Sequence, residues 1–273
     1  MMSSQPIILC ANQRSGTTAL GQALESQKRV TSFAEIFMTS EYHVTEIPSN
    51  YFYWMSKYRK KNIGFYRRGE VTRYIGEYFD YLSKLSGTDY FLVDIKYDQW
   101  SYVVGESNNI FYPPVLLSYF INRGYPIVHL IRDNLFEQYL SIKYANAVGE
   151  SHYRKGEYSD SKTDIGLYVD VEECNYFIGA LSKNVNLFKE FLKGYNQSVE
   201  LHYDECFLNN CVTNYAKEKL SSVIPDSEWM TKVETPLVKT PVDIMKKISN
   251  SKEVVSYFSN SDYHWMFENL SNI

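Results

Sequence analysis

The sequence contains no CxxC pair, and its five histidines (His43, His129, His152, His202 and His264) form neither HExxH nor any close pair. It therefore offers no metal-ligand spacing. Cysteine is scarce: Cys10, Cys174, Cys206 and Cys211 are scattered through 273 residues, where an even number does not by itself imply disulfides. They read as reduced thiols, the expectation for a cytoplasmic protein. No apolar run approaches the ~18 residues of a membrane span, so none is expected. The opening MMSSQPIILCANQRSG has no basic leader region and no full apolar one, which argues against a signal peptide. There is no positive excess either. Lys and Arg total 28 against 32 acids, a net charge of −4, so nucleic acid and anionic lipid find no global attraction here. A local basic pocket stays open. Repeats and low-complexity linkers are missing, and 44% hydrophobic with 22% charged residues is ordinary folded composition. Disorder and coiled coil are excluded, and one domain over residues 1–273 is the expectation.

Aromatics are what the chain has in excess: 25 Tyr, 15 Phe and 4 Trp. Much of that belongs in the core or along grooves, because a tyrosine ring packs while its hydroxyl finds a partner. Short apolar runs at Pro6–Ala11, Tyr90–Ile95 and Pro126–Ile131 read as buried strands, and Ser198–His202 is a fourth candidate strand. Helical patterns lie between them, at Thr17–Gln27, Asn134 to about Ala147, and about Tyr168 to Leu192. Asn134 is placed to cap the second of these, with Glu137 completing a capping box. Strands separated by helices predict an α/β three-layer sandwich with a P-loop-like, mostly parallel sheet. Two stretches break the pattern. Residues 41–70 mix Tyr51, Phe52, Tyr53 and Trp54 with Lys57, Arg59, Lys60, Lys61, Arg67 and Arg68. That mixture suits sugar rings, or equally a solvated basic helix with its aromatic face in the core. Residues 149–166 are polar and Gly-bearing and read as a surface loop able to close over a ligand.

The strongest motif is Ile8-Leu9-Cys10-Ala11-Asn12-Gln13-Arg14-Ser15-Gly16-Thr17-Thr18. A loop between a buried strand and a helix N-terminus aims free backbone N–H groups, backed by the helix dipole, at one point. Gly16 permits close approach, Arg14 adds charge, and Ser15, Thr17 and Thr18 add hydroxyls. It is not a Walker A loop, because Ala11 stands where the first Gly would be and Thr17 where the Lys would be. The plain alternative is an ordinary strand–helix turn with a capping Ser or Thr. A second motif is Ile127-Val128-His129-Leu130-Ile131-Arg132-Asp133-Asn134, followed by Glu137, Gln138 and Ser141. Arg132 stands at a strand end, where α/β sheets bind ligands. Asn134, Gln138 and Ser141 share one helix face. An Arg fork beside a serine hydroxyl suits a phosphate, whereas a surface Arg and a solvated Ser are the plain alternative.

QRSGTT together with LIRDNLFEQYLS resembles the two cofactor motifs of sulfotransferases that use 3′-phosphoadenosine-5′-phosphosulfate (PAPS). The resemblance implies that Arg14, Ser15, Gly16, Thr17 and Thr18 bind the 5′-phosphosulfate, and Arg132 with Ser141 the 3′-phosphate. Arg14 stands where the cytosolic animal enzymes have Lys, as in Golgi and bacterial carbohydrate sulfotransferases. The segments Phe33–Phe37, Asp94–Gln99, Leu201–Glu205 and Thr235–Lys239 are similar to segments of bacterial nodulation-factor and trehalose sulfotransferases. Lys239 is implied as a further cofactor contact. The activity implied is sulfuryl transfer to a hydroxyl of a carbohydrate or glycolipid, leaving 3′,5′-ADP. Catalysis would fall to Glu35 as general base, with Arg14 and Lys96 on the cationic side. The apolar setting of Glu35 (Phe33, Ala34, Ile36, Phe37) is one that raises a carboxyl pKa. His129 and His152 are alternative bases, although His129 alternates with apolar neighbours and reads as a hydrogen-bonded core residue. A P-loop nucleotide kinase and a non-catalytic nucleotide- or glycan-binding protein are the competing readings.

Overall fold

The computed structural model describes residues 4–59, 68–102, 113–149, 153–154, 166–226, 228, 230, 233–235, 237–238 and 244–272. The chain enters through β1 (Gln5–Ala11), which is buried from Pro6 onward. With a side-chain period of two, Ile7, Leu9 and Ala11 face one layer and Ile8 and Cys10 the other. Then come α1 (Thr17–Glu25), β2 (Val30–Glu35), α2 (Glu41–Glu46), α3 (Tyr51–Trp54), α4 (Arg68–Ser86) and β3 (Tyr90–Lys96). They are followed by α5 (Val115–Arg123), β4 (Ile127–Ile131), α6 (Leu135–Val148), the two-residue β5 (Tyr153–Arg154), α7 (Val171–Leu192) and β6 (Ser198–His202). Beyond the last central strand lie α8 (Tyr203–Cys206), α9 (Asn214–Ser221) and α10 (Ser251–Phe258).

The central sheet has five parallel strands in the order β2-β3-β1-β4-β6. Leu20, Ala23 and Leu24 of α1 and Ala216 and Leu220 of α9 cover the face of Leu9, Leu92 and Leu130. The opposite face, with Ile8, Phe91, Val93 and Ile127, is covered by α4, α5 and the end of α7. This is the expected three-layer α/β arrangement. A further cluster joins α6, α7 and α10 through Phe136, Tyr139, Ile178 and Phe258. From β1 the chain crosses to the outer β2 and comes back through β3. It then passes to the other side of β1 for β4 and β6. The loops after β1 and β4 therefore depart in opposite directions, which opens a crevice beyond the carboxyl ends of those two strands.

Several boundaries differ from the sequence expectation for identifiable reasons. The last long helix begins at Val171, not Tyr168, because the Asp170 side chain accepts from the amides of Glu172 and Glu173. β2 carries polar residues, sits at the sheet edge and shifts register between Ser32 and Glu35. Ala34 in its last turn has φ 52. Tyr51 and Trp54 are buried and pack on Tyr78, while Lys57 and Tyr58 remain exposed. The aromatic face of the 41–70 stretch thus lies in the core at these two residues. Lys60, Lys61 and Arg67 lie outside the described residues.

His129 is the core histidine that its alternation suggested. Its Nε2 meets the Tyr97 hydroxyl at 2.7 Å, and burial lowers its pKa to about 4. An unfolded chain takes up this proton near pH 6.5, the native one only near pH 4. The group's share of stability is therefore complete above about pH 6.5 and falls away by up to ~3 kcal/mol on acidification to about pH 4. Urea midpoints of the wild type should drop more steeply across that window than those of His129→Gln. Parallel slopes would remove the assignment.

Candidate functional site

The loop leaving β1 turns at two left-handed residues, Arg14 (φ 62) and Gly16 (φ 87), before α1 begins. Gly16 is the N-cap and no side chain caps the helix, so the first amides of α1 are offered to whatever lies in front of them. Gly16 is needed here for a reason the motif did not indicate. A Cβ on it would lie 2.6 Å from Cδ2 and Cε2 of Tyr203, whose ring occupies that space. Gly16→Ala combines this clash with left-handed strain and should cost about 2 kcal/mol or more. A denaturant midpoint close to wild type would show that the ring moves freely aside.

Helix α6 holds this loop from the other strand. Gln138 Nε2 donates to Gln13 O at 2.6 Å and to Ser15 Oγ at 2.9 Å. Arg14 Nε donates to Ser141 Oγ at 3.0 Å. Asn134 caps α6 by accepting from the Glu137 amide, as its sequence context implied. Arg132, only 8% exposed, is no surface residue. It donates from one terminal nitrogen to Arg14 O (3.3 Å) and from the other to Glu137 Oε2 (2.8 Å), with its guanidinium 5.1 Å from the centre of the Tyr203 ring. Its Nε is buried and meets no acceptor among the described residues. A buried guanidinium N–H without a partner is costly unless a ligand or water supplies an oxygen.

A second group of polar residues stands at the carboxyl ends of β2 and β3. Asp94 and Lys96 are two apart on β3 and so face the same layer, towards α1. Lys96 is buried, and its Nζ lies 2.6 Å from Asp94 Oδ2, 2.6 Å from Thr17 Oγ1 and 3.8 Å from Glu35 Oε1. Glu35 pairs with Asp94 across the register. Gln99 Nε2 donates to Glu35 Oε2 at 2.8 Å, and Gln99 Oε1 accepts from the Lys96 amide at 3.1 Å. Desolvation by burial raises the Glu35 pKa above its ordinary value, and Asp94 adds to the rise while Lys96 and Gln99 oppose it. Thr17 belongs to both groups: it opens α1 behind the loop and accepts from Lys96.

The structure thus brings together Arg14, Ser15, Gly16, Arg132 and Ser141 on the β1–β4 side. It brings Glu35 and Lys96 together on the β2–β3 side, with Thr17 between the groups and Thr18 following it in α1. Ser15 is buried, its oxygen already accepting from Gln138. Lys239 and His152 lie outside the described residues, as does most of 149–166, of which Gly149, Tyr153, Arg154 and Gly166 are described. Asp94, Gln99 and Tyr203 complete the site but had no assigned part in it. The alternation Asp94-Ile95-Lys96 carried a signal for Asp94, because residues two apart on a strand share a face; Tyr203 had none. Among the described residues no group of three or more His, Cys, Asp or Glu converges as a metal-ligand set, and no helix is long and apolar enough to cross a membrane. No protein-family model matches the chain, and no curated protein matches it.

Proposed function

We propose that the chain is a sulfotransferase moving the sulfuryl group of PAPS to an acceptor hydroxyl, with Glu35 as general base and a carbohydrate or glycolipid as acceptor. The observation that carries the proposal is the bond from Arg14 Nε to Ser141 Oγ at 3.0 Å. It joins the two sequence segments that resemble the sulfotransferase cofactor motifs, in the crevice where the loops after β1 and β4 part. The donor set fits such a nucleotide. Arg14 and the amides of residues 15–18 suit its 5′ end, Arg132 and Ser141 its 3′-phosphate. The buried Arg132 Nε is the kind of orphan that an anion oxygen satisfies.

Bound PAPS would supply an activated sulfuryl group and a phosphate leaving oxygen. The chain's own contribution is positioning and fixed positive charge, by analogy with phosphoryl transfer. Arg14 and the α1 N-terminus present that charge, and Lys96 stands behind them, donating to Thr17 at the start of α1. Glu35 takes the proton that the acceptor hydroxyl gives up, and its raised pKa brings its proton affinity closer to a neutral working pH.

A thermal-shift comparison of 3′,5′-ADP with ATP·Mg²⁺ tests the reading. Saturating 3′,5′-ADP should stabilise the protein, by about 2.7 kcal/mol at a hundredfold excess over Kd. Stabilisation by ATP·Mg²⁺ alone would assign a nucleotide kinase instead. Binding of 3′,5′-ADP without transfer of labelled sulfate to any hydroxyl acceptor would leave a non-catalytic binding protein.

A further inference from the structure

Lys96 is placed unlike a cation kept free for a ligand. Two of its three N–H groups are taken, by Asp94 Oδ2 and Thr17 Oγ1 at 2.6 Å each. Asp94 is itself buried, 4% exposed, and its Oδ1 has no hydrogen-bond partner among the described residues. A buried ion pair with an unsatisfied carboxylate oxygen is a poor stabiliser, because the desolvation it costs is not recovered in full. Stability therefore does not account for this carboxylate. Its position does: it stands beside the ammonium that also faces Glu35 at 3.8 Å.

We infer that Asp94 is a positioning residue of the site, holding the Lys96 ammonium against Thr17 and a step away from Glu35, and so setting the pH at which Glu35 is free to accept a proton. This rests on the reading of Glu35 as the base. The groups facing Glu35 among the described residues are Lys96 and Asp94 from β3, then Asp98, Gln99 and Tyr102 from the turn beyond it. Two carboxylates, Glu35 and Asp94, share the single ammonium of Lys96. With both ionised the trio carries one surplus negative charge, which favours a proton on the member farther from the ammonium, Glu35 at 3.8 Å against 2.6 Å for Asp94. Neutralising residue 94 removes that surplus and leaves Lys96 to Glu35 alone. The arrangement also couples base and donor sites. Thr17 opens the helix behind the anion loop, so a movement of its hydroxyl is felt at Lys96 and from there at Glu35.

The test is a ¹³C titration of the Glu35 carboxyl in the free protein, its signal assigned by its disappearance in Glu35→Gln. Asp94→Asn keeps an oxygen for Lys96 and should lower the Glu35 midpoint by about one pH unit or more. Lys96→Gln leaves two carboxylates without their cation and should raise it. Opposite signs are the signature, because a loosened site would move both midpoints down towards the value of a solvated glutamate. Midpoints that stay put in both variants, or fall in both, overturn the inference. Should Asp94→Asn fail to fold, the rise in Lys96→Gln decides, together with Asp94→Ser. No donor or acceptor is needed, so this outcome is separate from that of 3′,5′-ADP binding. If the protein proves to be no sulfotransferase, the coupling can still be found intact; if the coupling is absent, donor binding is untouched.

Discussion

Glu35→Gln is expected to lower turnover about 10²–10⁴-fold, the usual contribution of a general base. The amide keeps the shape of the side chain and its bond to Gln99, but it cannot take the acceptor's proton. Affinity for 3′,5′-ADP should stay close to wild type, because Arg14, Arg132 and Ser141 are assigned to the phosphates and Glu35 is not. The sign of the pH effect follows from the role. A base works deprotonated, so the rate climbs as pH rises through the Glu35 midpoint, and burial places that midpoint above the ordinary carboxyl range. Removing the carboxylate should flatten this acidic limb. His129 is the described alternative, but it is buried, bonded to Tyr97 and lowered to about 4, so a limb of its own would lie lower and survive the substitution. Near-normal turnover with the limb intact in Glu35→Gln would move the base to another residue.

Arg132→Ala should weaken 3′,5′-ADP binding tenfold or more while hardly altering 5′-AMP. A hydrogen bond to a charged group contributes about 1.5–3 kcal/mol, and 1.4 kcal/mol is already a factor of ten. The structure adds a complication. Arg132 also bonds Arg14 O and packs on Tyr203, so its removal loosens the loop as well as the 3′ side. Arg132→Lys separates the two effects: the charge remains, the planar fork is lost, and an intermediate affinity is expected. Calorimetric titration with both nucleotides reads the difference. Equal losses for 3′,5′-ADP and 5′-AMP would take the 3′-phosphate away from Arg132.

The strands that the sequence announced are β1, β3 and β4, unbroken apolar runs buried on both faces as parallel strands between helices are, and β6, whose Val199 and Leu201 alternate with polar residues. β2 went unannounced because its pattern Val-Thr-Ser-Phe-Ala-Glu is polar, its place is the sheet edge, and its end is kinked at Ala34. The site divides along the same line. Arg14, Gly16 and Arg132 belong to local motifs in which strand, turn and helix follow one another, so their neighbourhood is written in consecutive residues. The contact of Glu35 with Lys96 depends on how β2 and β3 align, and Glu35 comes opposite Asp94 only after the register shift. Nothing within either segment states that alignment. The seat of Tyr203 against Gly16 is further removed still, since it requires β6 to be laid down before α8 can present the ring.

β1 is the middle strand of the sheet, yet it is the first of the five strands to be made. Its partners are distant: Gln5 pairs with Tyr90, and Ile8 with Ile127. During synthesis Ile7, Ile8 and Leu9 therefore wait with both strand edges open until β3 has emerged, and with one edge still open until β4 has, more than a hundred residues further on. Such long-range pairing is slow, and an apolar strand with two free edges is the segment most prone to association in the meantime. Refolding yield should accordingly fall with protein concentration. A charged substitution at Ile8 should be far more damaging to soluble expression than one at Leu208, which is exposed in the folded chain.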